Sequence, residues 1–388
     1  MSKPYENLVI LDLTHVLAGP FASTMMSDLG ATIIKVERPG IGDDTRAFPP
    51  FVEGQSAYFA GLNHGKQSIA LDLKSPSDRE VFERLLQQAD VLLENFRPGV
   101  MEKLGYGWDS LHEKHPRLIY GAVSGFGHTG PDSQKPAYDM VVQGRGGVMS
   151  ITGEKDREPV RVGASIGDIV AGLYLAQGVS AALYQREQTG QGQKIDVAML
   201  DCQLAILEHA VAITGATGTP PGRTGARHPT ITPFETFHAS DGLFVIAAGN
   251  DALFQRLCDA LELPDLPADP QFATNAARCD NARLLKRLIE AVTLSQTKAH
   301  WIEVLTKAGV PTGPIQNVAE ALEDPQLLAR NMVATVQAGT DRPSFLAAGN
   351  PIKMTSVPDT TSRDAAPLLD GDREAILQWL ASKESTGS

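Results

Sequence analysis

Cysteine is scarce in this chain: only Cys202, Cys258 and Cys279 occur among 388 residues. So few thiols, odd in number and far apart, exclude a disulfide framework and offer no metal-ligand pair. They suit a reducing compartment, and a cytoplasmic protein is the expectation. Positive charge is also in deficit, with 34 Lys and Arg against 46 Asp and Glu and a formal net charge of −12. That balance argues against nucleic acid as a partner, because binding phosphate backbones needs a basic face. The sequence opens without a basic-then-apolar leader. No apolar run approaches the ~20 residues that cross a bilayer, so no membrane partner is expected. The nine histidines show no HExxH spacing, and no metal is assigned. What the chain has is apolar side chain, at 42%, and enough length for two or three domains.

The first 125 residues or so alternate strand and helix patterns. Strands are expected at Leu8–Leu13, Thr32–Val36, Ser68–Leu73, Asp90–Phe96 and Arg117–Val123. Helices are expected at Gly19–Leu29, from a Ser77/Glu80 capping box to Gln88, at Gly99–Leu104 and at Trp108–His115. Strand, helix, strand in repetition implies an α/β domain with a parallel sheet covered on both faces. Ligands of such sheets bind at the carboxyl ends of strands, beside a switch in strand order. Arg38, Lys74 and Arg97 follow three of those ends, with Lys103 nearby. Each alone reads as a solvated charge, whereas together they would form an anion site for a ligand with several phosphates.

Two segments bear on chemistry. Gly125, Gly127 and Gly130 match G-x-G-x-x-G after a strand. Pro131 and the polar stretch to Pro136 do not continue as a helix, so a dinucleotide fingerprint is rejected. These glycines either expose backbone amides for a substrate or oxyanion, or merely turn the chain. The second segment is Gly167-Asp168, followed by apolar residues at helical spacing with no charge until Arg186. Asp168 therefore sits in the first turn of a core helix, where the helix dipole favours its ionised form. It reads as a nucleophile toward an activated acyl group, or as a plain complement to the dipole.

Composition changes at Gly218–Gly225, a Pro/Gly linker. A hairpin at Phe234–His238 and Leu243–Ala248 is expected next, then helices at Asp251–Leu261, Ala282–Leu294 and Lys298–Ala308. The division expected is 1–217 as the first part of a large domain, 218–315 as linker and small α+β domain, and 316–388 as a return segment. A helix at Val318–Leu322, a strand near Pro351–Met354 and a disordered tail at Ala381–Ser388 complete the reading.

Many short segments fall in register with one family. They include Leu11-Asp-Leu-Thr-His-Val16, Ala18-Gly-Pro20, Val36-Glu-Arg38, Gly42-Asp-Asp-Thr-Arg46, Leu71-Asp-Leu-Lys74 and Glu94-Asn-Phe-Arg-Pro-Gly99. Ser124–Pro131, Tyr138-Asp139, Gly167-Asp168 and Thr189-Gly-Gln-Gly-Gln193 continue the match. From Leu8 to Met354 the chain resembles the class III CoA-transferases. Asn63-His-Gly-Lys66, Gly225-Ala-Arg-His-Pro229 and Ala248-Gly-Asn-Asp251 resemble the acetyl-CoA:oxalate type within that family. The resemblance implies a Rossmann-like large domain, a small domain, and an interlocked homodimer. It puts the nucleophile on Asp168. Contacts to CoA, which serves as a substrate, fall on Val16, Leu17, Arg38, Leu71, Asp72, Leu73, Lys74, Asn95, Phe96, Arg97, Lys103, Tyr138 and Asp139. Leu17 stands where the formyl-CoA relatives carry Gln, and Lys103 where they carry Arg.

The chemistry implied is exchange of CoA between a thioester and a carboxylate, through an anhydride on Asp168 that must be kept from water. Amides near Asp168 or Gly125–Gly127 are candidate oxyanion donors. For oxalate as acceptor the candidates are Gly125, Gly127, Arg227 and His228, the last two also reading as a loop set against Pro229. Formyl-CoA or another donor is the alternative within the family. The racemases of the same superfamily use a His that falls on Tyr138 here, a poor base with an ordinary pKa near ~10. A non-catalytic CoA-binding protein and a dinucleotide dehydrogenase are the alternatives from other classes.

Overall fold

The computed structural model describes residues 3–337 and 344–386. They form two compact units, one of residues 1–148, 162–208 and 324–388, the other of 149–161 and 209–323.

The larger unit is built on a parallel sheet whose central strands are short runs of Val, Ile and Leu buried on both faces. Its strands are β1 (Val9–Asp12), β2 (Thr32–Glu37), β3 (Gln67–Ala70), β4 (Val91–Glu94), β5 (Ile119–Ser124) and β6 (Lys194–Ala198). They pair in parallel in the order β3-β2-β1-β4-β5-β6. The chain runs outward from β1 to β3, returns to β4, and runs outward the other way. The β1–β4 junction is therefore a switch point, with a crevice beyond the carboxyl ends of the strands. Ile10, Leu11, Val91, Leu92 and Leu93 are fully buried there, as expected of a parallel sheet covered by helices on both sides.

Helix α1 (Ala18–Asp28) follows β1, α2 (Ala57–Asn63) precedes β3, and α3 (Pro76–Gln88) follows it. Short helices α4 (Val100–Leu104) and α5 (Trp108–Lys114) join β4 to β5. After β5 come α6 (Asp139–Arg145) and the long α7 (Ile166–Thr189), and α8 (Met199–Ala205) follows β6. One face of the sheet packs on α1 and α7 through Ala22, Met26, Leu175 and Val179. The other packs on α3 and the terminal helix through Phe82, Leu85, Ile376 and Leu380. Gly172 of α7 allows the close approach to α1, since a Cβ there would lie 2.6 Å from the Ala18 carbonyl oxygen. α7 stops at Gly190, whose φ of 73° suits glycine.

The smaller unit has an antiparallel sheet in the order β9-β8-β7, from β7 (Phe234–Ala239), β8 (Gly242–Ala247) and β9 (Thr312–Pro314). Against it pack α9 (Asp251–Ala260), α10 (Ala282–Thr293) and α11 (Lys298–Lys307) through Phe237, Phe244, Phe254, Leu285, Trp301 and Leu305.

Five expectations need correction. α7, at 24 residues, is long and apolar enough to cross a bilayer, although its Ala171, Leu175, Val179 and Ala182 are buried in the core. Ser75, not Ser77, precedes α3, with Pro76 in the first turn and no side-chain cap. The proline fixes the start of the helix, and the Ser77/Glu80 box does not form. β6 was not expected, because Lys194-Ile-Asp-Val-Ala mixes polar and apolar residues as an edge strand does. No strand forms at Pro351–Met354; the strand there is Phe345–Ala348, antiparallel to Val333–Val336. Of the expected disordered tail, 381–386 is helical, in α12 (Arg373–Thr386), where Ile376 and Leu380 enter the core and Arg84 pairs with Glu384 at 2.6 Å, and Gly387 and Ser388 lie outside the described residues.

Candidate active site

Two clefts open at the carboxyl ends of the strands and share Phe96 and Val100. The first, about 370 Å³, runs along β2, β3 and α4 and is lined by Arg38, Leu71, Asp72, Leu73, Lys74 and Phe96, among others. Its lining is mostly apolar with a cation at the rim, which suits a flat base with phosphates beside it. The second, about 320 Å³, is lined by His15, Asn95, Phe96, Arg97, Gly125 and Tyr138, with Ser124 and Lys135 also at its wall. The strand ends thus bring Arg38, Leu71–Lys74, Asn95–Arg97, Gly125 and Tyr138 into one connected hollow. Arg38 also pairs with Asp44 at 2.5 Å, both side chains largely exposed.

Asp168 lies in the first turn of α7, half-buried, and no hydrogen bond holds its carboxyl among the described residues. Burial, and then the charge of Asp139, push the carboxyl up to about 7. This corrects the expectation that the helix dipole keeps Asp168 readily ionised: desolvation and a neighbouring anion outweigh it. Asp139 starts α6. Its Oδ1 accepts the Gly167 N–H at 2.8 Å, and both its oxygens accept the Gln143 side-chain amide at 3.0 and 2.9 Å. Gln143 Oε1 in turn accepts the Val162 N–H at 2.8 Å. A chain of side chains therefore fixes the entry into α7. Gly167 is needed there, because a Cβ would come within 2.7 Å of Val142 Cγ2 and 2.9 Å of Asp139 Oδ1. Asp139 follows cleft-lining Tyr138 and bonds the residue before Asp168, while Asp168 itself lines neither cleft. Burial raises the Tyr58 hydroxyl above its ordinary pKa, and the charges of Asp168 and Asp43 add to the shift.

The turn after β1 closes the other side of the hollow. Asn95 holds His15 at both backbone groups, accepting its N–H at 2.9 Å and donating to its carbonyl at 2.8 Å. The His15 ring lies 5.7 Å from that of Phe96. Asp12 accepts the Thr14 N–H at 2.9 Å. Beneath the turn Lys66 donates to Asp12 at 3.1 Å, to Ser23 at 2.8 Å and to Asn63 at 2.9 Å. Burial pulls the Lys66 ammonium down to about 8, and Asp12 limits the fall.

Other sequence-derived candidates lie outside the two cleft linings. Val16 and Leu17 form the end of the turn, Leu17 buried at the start of α1. Lys103 is exposed on α4, whose Val100 and Leu104 face the first cleft instead. Asp139 bonds Gly167, the residue before Asp168. The Gly127 N–H is taken by Ser124 Oγ at 3.0 Å, and the Gly167 N–H by Asp139, so two amides considered as oxyanion donors are already bonded. In the smaller unit, Arg227 lines a groove with Lys155, Arg283 and Arg287. His228 Nδ1 accepts the Thr230 N–H at 3.2 Å, and its ring stacks on His209 and Phe234. The run Gly125–Gly130 is followed by turns, with no helix before Asp139. Sequence reasoning did not single out His15, Tyr58, Ser124 or Lys135; the place of His15 at a strand end was the available clue.

The chain was compared with known proteins. It is 47% identical over 383 residues to acetyl-CoA:oxalate CoA-transferase of Acetobacter aceti, covering 98% of this chain and 97% of that protein. It is 41% identical over 383 residues to succinyl-CoA:mesaconate CoA-transferase of Haloarcula hispanica, covering 96% and 95%. The crystal structure of a CAIB/BAIF family protein from Brucella suis superposes with a TM-score of 0.87 at 39% identity, over 98% of this chain and 100% of that one. Residues 5–373 match CoA-transferase family III. With the parallel sheet, the hollow at its switch point and full-length relatives of this kind, the chain belongs to CoA-transferase family III.

Proposed function

We propose that this enzyme moves CoA from acetyl-CoA to oxalate, with Asp168 as nucleophile. The observation that carries the mechanism is Asp168 itself: a half-buried carboxyl at the head of a core helix, without a hydrogen bond among the described residues, beside the Asp139 segment that begins at cleft-lining Tyr138. The substrate pair is that of the Acetobacter aceti relative. The Haloarcula hispanica relative acts on a different pair, so the pair is assigned on the higher identity.

In the proposed reaction an Asp168 oxygen attacks the acetyl carbonyl. The C–S bond breaks, and CoA leaves as thiolate, giving an acetyl-aspartyl anhydride. The thiolate then attacks the aspartyl carbonyl and acetate departs, leaving an aspartyl thioester. An oxalate oxygen attacks that carbonyl, and thiolate leaves again. Finally the thiolate attacks the oxalyl carbonyl, releasing oxalyl-CoA and free Asp168. Each step exchanges one activated acyl bond for another, so little energy is lost provided water is kept out. CoA stays in place between steps through the first cleft, where Arg38 and Lys74 sit near its phosphates and Leu71 and Leu73 pack on its base. Apart from the acyl-CoA substrate no cofactor and no metal takes part.

The test is a panel of acetyl-, formyl- and succinyl-CoA against oxalate, mesaconate and glutarate, read by mass spectrometry of the CoA products. Oxalyl-CoA formed fastest from acetyl-CoA is the expected result. Failure of oxalate to accept CoA from any donor would remove the substrate assignment and leave the family untouched.

A further inference from the structure

Val16 is the only β-branched residue held at positive φ among the described residues, at 67°. A β-branched side chain is a genuine outlier in that region, so something must hold the turn. The structure shows what does. Asp43, whose side chain is fully buried, accepts the Val16 N–H at 3.2 Å through Oδ1. The same oxygen accepts the Thr45 N–H at 2.9 Å and the Thr45 hydroxyl at 2.7 Å. Asp43 Oδ2 lies 2.9 Å from the ammonium of Lys35, also fully buried. That ammonium donates to the Thr14 carbonyl at 2.7 Å. An ion pair sealed in a sheet core is expensive, and a hydrophobic pair of equal volume would serve packing as well or better. This pair grips the backbone on both sides of His15, at Thr14 and at Val16. His15 lines the second cleft beside Asn95, Phe96 and Tyr138.

We propose that Asp43, with Lys35, is a positioning residue that holds the strained Thr14–Leu17 turn so that His15 and Val16 present the geometry the acyl-CoA requires. The inference rests on the CoA-transferase reading of the two clefts. Asp43 touches no reacting atom; it acts through the turn.

The experiment is a double-mutant cycle between Asp43→Ala, which removes the acceptor of the Val16 N–H as well as the charge, and Val16→Gly, each variant first checked for folding by circular dichroism and thermal melting. Glycine adopts a φ near 67° freely. Asp43→Ala should therefore lower kcat/KM for acetyl-CoA by about tenfold or more in the wild-type background. In the Val16→Gly background the same change should cost less than about threefold, a coupling that only such a cycle isolates. Equal losses in both backgrounds would overturn the proposal, since that is what a general structural role gives. If Asp43→Ala fails to fold, the same comparison is made with Asp43→Ala plus Lys35→Met, which leaves no buried ammonium unpaired. Should the enzyme turn over none of the substrates tried, acetyl-CoA binding by calorimetry carries the same comparison. The underlying reading fails separately, by full turnover of Asp168→Asn.

Discussion

As the proposed nucleophile, Asp168 must lose its proton before it can attack, and the surroundings make that loss hard. Its carboxyl is pushed up to about 7 by burial and by the Asp139 anion. In the free enzyme kcat/KM for acetyl-CoA should thus rise with pH through a midpoint near 7, because the carboxylate fraction grows there. Asp139→Asn keeps an oxygen for the Gly167 N–H and removes the charge, so the midpoint should move down. The pH–rate profiles of the two proteins test this, and an unmoved midpoint would contradict it. Glu94 is also pushed up to about 7 by burial. Asp139 is not among the charges that shift it, so the variant tells the two carboxyls apart. A desolvated carboxyl is what the stability–activity trade-off leads one to expect at such a site. The linkage has a definite sign. A folded-state pKa above the unfolded value means that stability is lost as pH rises from about 4 to 7. Asp168→Asn lacks that penalty and should melt higher than the wild type at pH 8, with no difference at pH 4.

At the scale of elements, the site depends on how closely α6 meets the start of α7. Gly167→Ala places a methyl group 2.7 Å from Val142 Cγ2. The helices must then part by some tenths of an ångström, and overpacking of this kind costs about 1–3 kcal/mol. We expect a lower melting temperature and a fall in kcat of about tenfold, since a full ~1 Å of displacement at a nucleophile costs about a hundredfold; steady-state kinetics with near-normal kcat would refute it. Much of this layer was legible in the sequence. β1, β2, β4 and β5 are apolar runs bounded by turn residues, and the Gly167-Asp168 step before an uncharged stretch marked α7 and its carboxyl. What could not be read is what the topology assembles. Lys35 lies inside Thr-Ile-Ile-Lys-Val-Glu, where period-two alternation offers no reason to bury an ammonium. Its partner Asp43 comes from a loop eight residues on, and the pair reaches the Thr14 and Val16 backbone because β2 lies beside β1. The sixth strand was hidden for a related reason: its pairing with β5, rather than its half-polar sequence, makes it a strand.

At the scale of the whole molecule, the larger unit leaves apolar side chains uncovered. Met140 on α6, Tyr184 on α7 and Leu204 on α8 are 59%, 72% and 58% exposed. Such side chains are open to a partner surface, and the family resemblance carries the proposal of an interlocked homodimer. Chains threaded through each other cannot separate without unfolding. Sedimentation velocity should therefore show one dimeric species from the highest concentration to the lowest, and a monomer that grows on dilution would contradict it. All of this serves one chemical claim, that Asp168 carries the acyl group. It is tested most directly by incubating the wild type with acetyl-CoA alone, trapping with hydroxylamine and mapping the peptides by mass spectrometry. The account predicts a hydroxamate at Asp168 and none in Asp168→Asn, which should have lost transfer while keeping its affinity for CoA within a few-fold. A hydroxamate on another peptide, or substantial turnover by Asp168→Asn, would contradict it.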